Sequence, residues 1–155
     1  MLSEGFLGTA APPAADLVLL LEISMGVALL IGAWLARERR FRLHASCQCV
    51  VVALNVVVIA VMMIPSFHTY VLPRIPAKLD KAYYSLATVH AGLGGATEMA
   101  GLYVLLAAGT SVLPEKFRIT KYKLWMRTVL VLWWIVLLLG IGTYTRWYVP
   151  HSFQK

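Results

Sequence analysis

Two histidines and a glutamate lie in or beside long apolar stretches of the chain, where polar side chains are costly. His90 lies in "YYSLATVHAGLGGATEMAGLYVLL", His68 follows the second apolar stretch, and Glu22 lies within the first. An imidazole supplies a nitrogen for axial ligation of haem iron or for copper, and a nearby carboxyl group balances protons or propionates. These three residues are therefore the first candidates for a redox-cofactor site.

Small residues accompany His90 on one side of its predicted helix. Gly94 follows one turn later, and Thr97 and Gly101 continue the same face. Missing side chains give a flat porphyrin room against a helix, so Gly94 is a candidate cofactor contact. The same small-residue seam would also let two helices approach closely without any cofactor. Both interpretations of this face stay open.

Glu98 and Asn55 form a second group of polar residues, at a deeper level of the predicted spans. A charged carboxylate at mid-depth costs roughly 2.5 to 3.5 kcal/mol on insertion scales, so Glu98 should be protonated or paired. We predict that these two residues belong to a proton or quinone site. The alternatives are a neutral acid bonded to Tyr103 or a backbone carbonyl, and an asparagine that only bonds a neighbouring helix.

His44 is the third candidate metal ligand. It shares one stripe of its predicted helix with Gln48, Asn55 and Met62, and this stripe should face protein rather than lipid. Interhelical hydrogen bonding would explain the stripe without any metal. The neighbouring cysteines in "SCQC" point to different helix faces, so we interpret them as small apolar fillers rather than a copper site.

Four apolar stretches must position these residues. The 155-residue chain is 60% hydrophobic and 14% charged, which excludes an ordinary water-soluble domain. The stretches cover about residues 17–36, 44–66, 82–108 and 126–148, and each is long enough for a hydrocarbon layer about 30 Å thick. Because backbone groups in lipid must pair within the protein, we predict an all-α membrane protein, a four-transmembrane-helix bundle in one integral domain. Residues 1–15 are predicted to be a loosely ordered tail.

Basic residues near the span ends predict the orientation. Nine lie in the two connections after the first span and before the fourth, and five lie on the opposite side. The nine are Arg37, Arg39, Arg40, Arg42, Lys116, Arg118, Lys121, Lys123 and Arg127. The positive-inside rule therefore places both termini on the non-cytoplasmic side. The net charge of +7 then reflects topology and contact with the lipid bilayer, and we expect no nucleic-acid partner.

Several short motifs together resemble a known family. They are "RLHASCQ", "PSFHTY", "YYSLATVH", "KYKLWMR" and "LGIGTYTRWY". The pattern, from about residue 15 to 148, resembles four-helix bacterial membrane proteins of a family that includes the CtaM-type maturation factors of haem–copper oxidases. The resemblance implies a bacterial inner (cytoplasmic) membrane, handling of haem or copper, and other subunits of a membrane redox complex as partners.

The chain departs from that family at two places. Members tend to carry four histidines, and three of them match His44, His68 and His90 here. The fourth position is Tyr122, so an inner metal site at His44 loses its expected co-ligand while the outer pair is kept. Glu98 also differs from the family's usual third helix.

The leading hypothesis is a small membrane protein that binds haem b or copper at His68 and His90. It would act in electron transfer or in assembly of a respiratory complex, and without a hydrolytic motif it is not expected to be an independent enzyme. One alternative is a cofactor-free structural accessory subunit of a larger membrane complex. Another is a quinone-site subunit that uses Glu98 and Asn55.

Overall fold

A computed structural model describes residues 5–109, 114 and 121–149. The chain forms four long helices, each apolar enough to cross a membrane. They are α1 (Pro13–Arg37), α2 (Phe41–Lys78), α3 (Ala82–Gly109) and α4 (Tyr122–Tyr148). These four helices confirm the all-α, four-helix prediction, and their length and composition fit a multi-pass membrane protein. Lys116 and Arg118, which contributed to the predicted orientation, lie outside the described residues.

The four helices close into a ring. Helix α1 packs against α2 and α4, and α3 packs against the same two neighbours. Van der Waals contact between large side chains fills the centre, because lipid supplies no hydrophobic drive between the helices. The main buried cluster consists of Met25, Leu29, Val51, Trp133 and Leu137. The fold is thus a four-helix bundle in which every helix has two neighbours.

An N-terminal strap, residues 5–12, packs across one end of the bundle, which we call the strap end. The Asp16 side chain is fully buried there and accepts hydrogen bonds from the Leu7 amide, at 2.9 Å, and from the Tyr144 hydroxyl. The Ala10 amide also donates to the Tyr148 carbonyl at the end of α4. These bonds distinguish the strap from the loosely ordered tail predicted for residues 1–15, of which residues 1–4 lie outside the described chain.

Helix α2 runs further than its apolar stretch predicted. Two π-helical turns, Ile59–Met63 and Phe67–Val71, surround Pro65, and two short helical pieces, Leu72–Arg74 and Ile75–Lys78, continue the helix. Pro73 and Pro76 are the second residues of those pieces, where a missing N–H costs little. A wider π turn also relieves the clash between a proline ring and the carbonyl four residues earlier.

A second apolar cluster holds the extended part of α2 at the strap end. Val71, Tyr84 and Ala87 are buried together there, with Phe67, Ile75 and Trp147 packed around them. The extension therefore packs over α3 and α4. The other helices also begin or end a few residues beyond the predicted stretches, since a helix continues through less apolar residues near the interface.

Candidate functional site

All four helices line one apolar cavity of about 780 Å³. It runs from the strap end towards the middle of the bundle, and its size lies within the roughly 300–1,000 Å³ typical of small-molecule sites. Small residues make up much of the wall near α3 and α4, namely Ala87, Ala91, Gly94, Gly95 and Gly140. Four of the predicted polar residues also line it: Glu22, Asn55, His68 and His90. The cavity is thus the candidate binding site.

His90 is held in one orientation by α4. Its Nδ1 lies 3.0 Å from the Val136 carbonyl, and because a carbonyl only accepts, Nδ1 carries the proton. The lone pair is then on Nε2, which makes no hydrogen bond to the described residues. A backbone carbonyl that fixes one ring nitrogen while the other binds a metal is the usual arrangement of ligating histidines. His90 is therefore a preoriented axial-ligand candidate.

Gly140 gives the His90 ring its place against α4. A Cβ atom at position 140 would lie 3.0 Å from Cε1 and 3.4 Å from Nδ1 of the imidazole. A larger residue at position 140 would require the ring to move by a few tenths of an ångström. In the sequence this contact is marked only by a missing side chain, in the glycine pair of "LGIGTY".

We expect Gly140→Ala to displace the His90 imidazole and weaken its bond to the Val136 carbonyl. Such a bond contributes about 0.5–1.5 kcal/mol, so the variant should be less stable by about that much than a glycine-to-alanine control with the same gain in helix propensity, and it should bind cofactor less well. Thermal unfolding in detergent and cofactor content measure the two effects.

Gly92→Ala is the matched control, since a Cβ there has no described neighbour within 4 Å and Gly92 does not line the cavity. It should leave cofactor binding unchanged and gain up to about 1 kcal/mol from helix propensity. Equal cofactor loss in the two variants would contradict the assigned role of Gly140.

His68 reaches the same cavity from the second π turn of α2. It is exposed, and no hydrogen bond to the described residues fixes its ring. The structure therefore brings the two predicted outer histidines to one cavity, but it orients only His90. π turns are frequent at functional sites, and this one lies at the rim of the cavity.

His44 is separate from the cavity. Its Nδ1 lies 2.8 Å from the Gly32 carbonyl of α1, and the Cys47 thiol donates to the Ala28 carbonyl at 3.2 Å. These bonds join α1 and α2 towards the end opposite the strap, as in the interhelical interpretation of this stripe. The Tyr122 hydroxyl donates to the Ala107 carbonyl at 3.4 Å.

The donor set favours a ring cofactor over a bare metal ion. Within residues 5–109, 114 and 121–149, no three His, Cys, Asp or Glu side chains come together as a metal site. Tightly held transition metals usually need three or four protein ligands. A haem supplies four nitrogens itself and needs only one or two axial ligands from the protein. The oriented histidine can supply one of them.

Glu98 is paired with Asn55 in the middle of the bundle. The Asn55 Nδ2 donates to Glu98 Oε2 at 2.7 Å, and the two residues are only 6% and 7% exposed. Glu22 of α1 lies close enough to Glu98 for the two carboxyl groups to interact electrostatically. The sequence grouped Glu22 with the histidines, whereas the structure connects it to both groups.

No family model, curated protein or solved structure matches the chain. The function is therefore argued from the cavity and its residues.

Proposed function

We propose that the chain is a multi-pass protein of the bacterial inner membrane that binds haem b in the four-helix cavity. His90 serves as one axial ligand, and His68 at the rim serves as the other. The protein acts in electron transfer or in assembly of a respiratory complex, together with other subunits of that complex. Both termini lie on the non-cytoplasmic side, as the basic residues predict.

One observation carries this proposal. A histidine fixed through Nδ1, whose Nε2 has no hydrogen bond to the described residues, lines an apolar cavity of about 780 Å³. Haem binding needs a nitrogen ligand, apolar walls and room for a flat ring, and the glycines beside His90 supply that room. Bound haem would supply one-electron chemistry, while the protein sets its ligands and excludes water.

The proposal is tested by an absorption spectrum of protein purified in detergent from a haem-replete host. We expect a Soret band that shifts on reduction, with iron in proportion to haem. Protein with no Soret band would contradict the proposal, whether it carries copper, extractable quinone or nothing. Copper would favour the metal alternative, quinone the Glu98 alternative, and an empty protein the structural accessory subunit.

A further inference from the structure

Three buried oxygen atoms in the middle of the bundle have no hydrogen-bond partner among the described residues. They are Glu22 Oε1, Asn55 Oδ1 and Glu98 Oε1. The three side chains come from α1, α2 and α3. An unpaired buried polar atom costs about 1–3 kcal/mol, so three of them on neighbouring helices indicate that something else binds there.

The protonation state of the two glutamates decides what this site needs. When both are ionised, their unpaired oxygens have no donor; when Glu98 is protonated, its O–H has an acceptor in Oδ1 of the Asn55 amide that already bonds its other oxygen. Glu22 and Glu98 are close enough for their charges to interact. A proton or a small cation at these oxygens would therefore satisfy them.

Asn55 orients the site. Its Nδ2 donates a hydrogen bond to Glu98. Oδ1 of the same planar amide therefore lies beside the Glu98 carboxyl group, and it has no partner among the described residues. Asn55 is 94% buried, because its exposed fraction is 6%. Asn55 and Glu22 both line the cavity, which gives a small solute a route to the three oxygens.

From this arrangement we propose that Glu22, Asn55 and Glu98 bind one monovalent cation, for which Na⁺ and a proton compete. Carboxyl and carboxamide oxygens are the ligands that hard cations prefer. Among the described residues that line the cavity none is a lysine or arginine, so no basic side chain there neutralises the carboxyl groups. The exchange is balanced: Na⁺ enters, one carboxylic acid becomes a carboxylate, and one proton leaves.

The single charge of the ion follows from its surroundings. The cost of moving an ion out of water rises with the square of its charge, so a divalent ion in an apolar bundle would need a fuller shell of charged oxygens. Two carboxyl groups, one of them already bonded to an amide, match a monovalent ion. This site uses neither His90 nor His68, although Glu22 and Asn55 line the same cavity.

Thermal unfolding of the detergent-purified protein tests the proposal. At equal ionic strength and slightly alkaline pH, NaCl should raise Tm by roughly 4 °C or more over choline chloride, and KCl should have less effect. Glu22→Gln and Glu98→Gln should remove this response. Glu38→Gln makes the same change at an exposed position and should keep the rise in Tm with NaCl.

Carbodiimide labelling of the wild-type protein is a second test that needs no variant. A hydrophobic carbodiimide reacts with a protonated carboxyl group in apolar surroundings, and mass spectrometry of peptides locates the label. Na⁺ should slow labelling of Glu22 or Glu98, while choline should not. Equal Tm in the three salts, or labelling that is absent or insensitive to Na⁺, would show that the oxygens bind only water and would overturn the proposal. Neither result would alter the Soret band on which the haem proposal depends.

Discussion

His90→Ala should reduce the haem content of the purified protein about tenfold or more. Two described histidines line the cavity, and the variant removes the one held in a fixed orientation, through the bond from Nδ1 to the Val136 carbonyl. Loss of even an outer-shell partner of a metal ligand typically costs 10–100-fold in affinity, and loss of the ligand itself should cost at least that much. The haem-to-protein ratio after purification measures the effect.

Two other histidine variants make this result specific. His44→Ala should keep full haem content, because His44 bonds the Gly32 carbonyl away from the cavity. His68→Ala should retain some haem with an altered Soret band, since one axial ligand remains. A Soret band of normal intensity in His90→Ala would exclude His90 as the ligand.

Asp16→Ala should destabilise the protein by about 2–4 kcal/mol. Asp16 is fully buried, and its loss leaves the Leu7 amide without its acceptor and the Tyr144 hydroxyl with only Thr9 Oγ1 as a partner, at 2.7 Å. Each unpaired buried donor costs about 1–3 kcal/mol. The change should appear as a lower Tm in detergent and as faster proteolysis within the strap.

Matched variants separate this effect from a general loss of charge. Asp80→Ala removes an exposed carboxylate, whose side chain is 70% accessible, and should change stability little. Tyr144→Phe removes one of the two donors and should have an intermediate effect. If Asp16→Ala were no less stable than Asp80→Ala, the strap would contribute nothing to the fold.

The four spans could be predicted from sequence because a single strong constraint decides them. A segment in lipid must pair its own backbone groups, so hydropathy alone identifies the helices. The end of α2 could not be predicted in the same way. Pro73 and Pro76 normally end a helix, but each falls at the start of a new helical piece, and that depends on the packing of Val71 against Tyr84.

The candidate site could be predicted only in part. Helical spacing placed His90 and Gly94 on one face, and both line the cavity. It could not show that α4 orients the imidazole, because the Val136 carbonyl and the missing side chain of Gly140 leave no chemical signal. The proximity of Glu22 to Glu98 likewise depends on how separate helices pack, which periodicity within one helix does not determine.

The direction in which the His68 side chain points depends on the number of residues in the π turns of α2. Each π turn accommodates about one residue more than an α-helix would, and one residue corresponds to about 100° of rotation. A one-residue deletion within Ile59–Met63 would restore regular α-helical winding there. It would rotate the residues that follow, including His68, about the helix axis. The Asn55–Glu98 pair precedes that point on α2 and would keep its alignment. Relatives of this chain that differ by one residue in this short interval would therefore present a different side chain at the rim of the cavity.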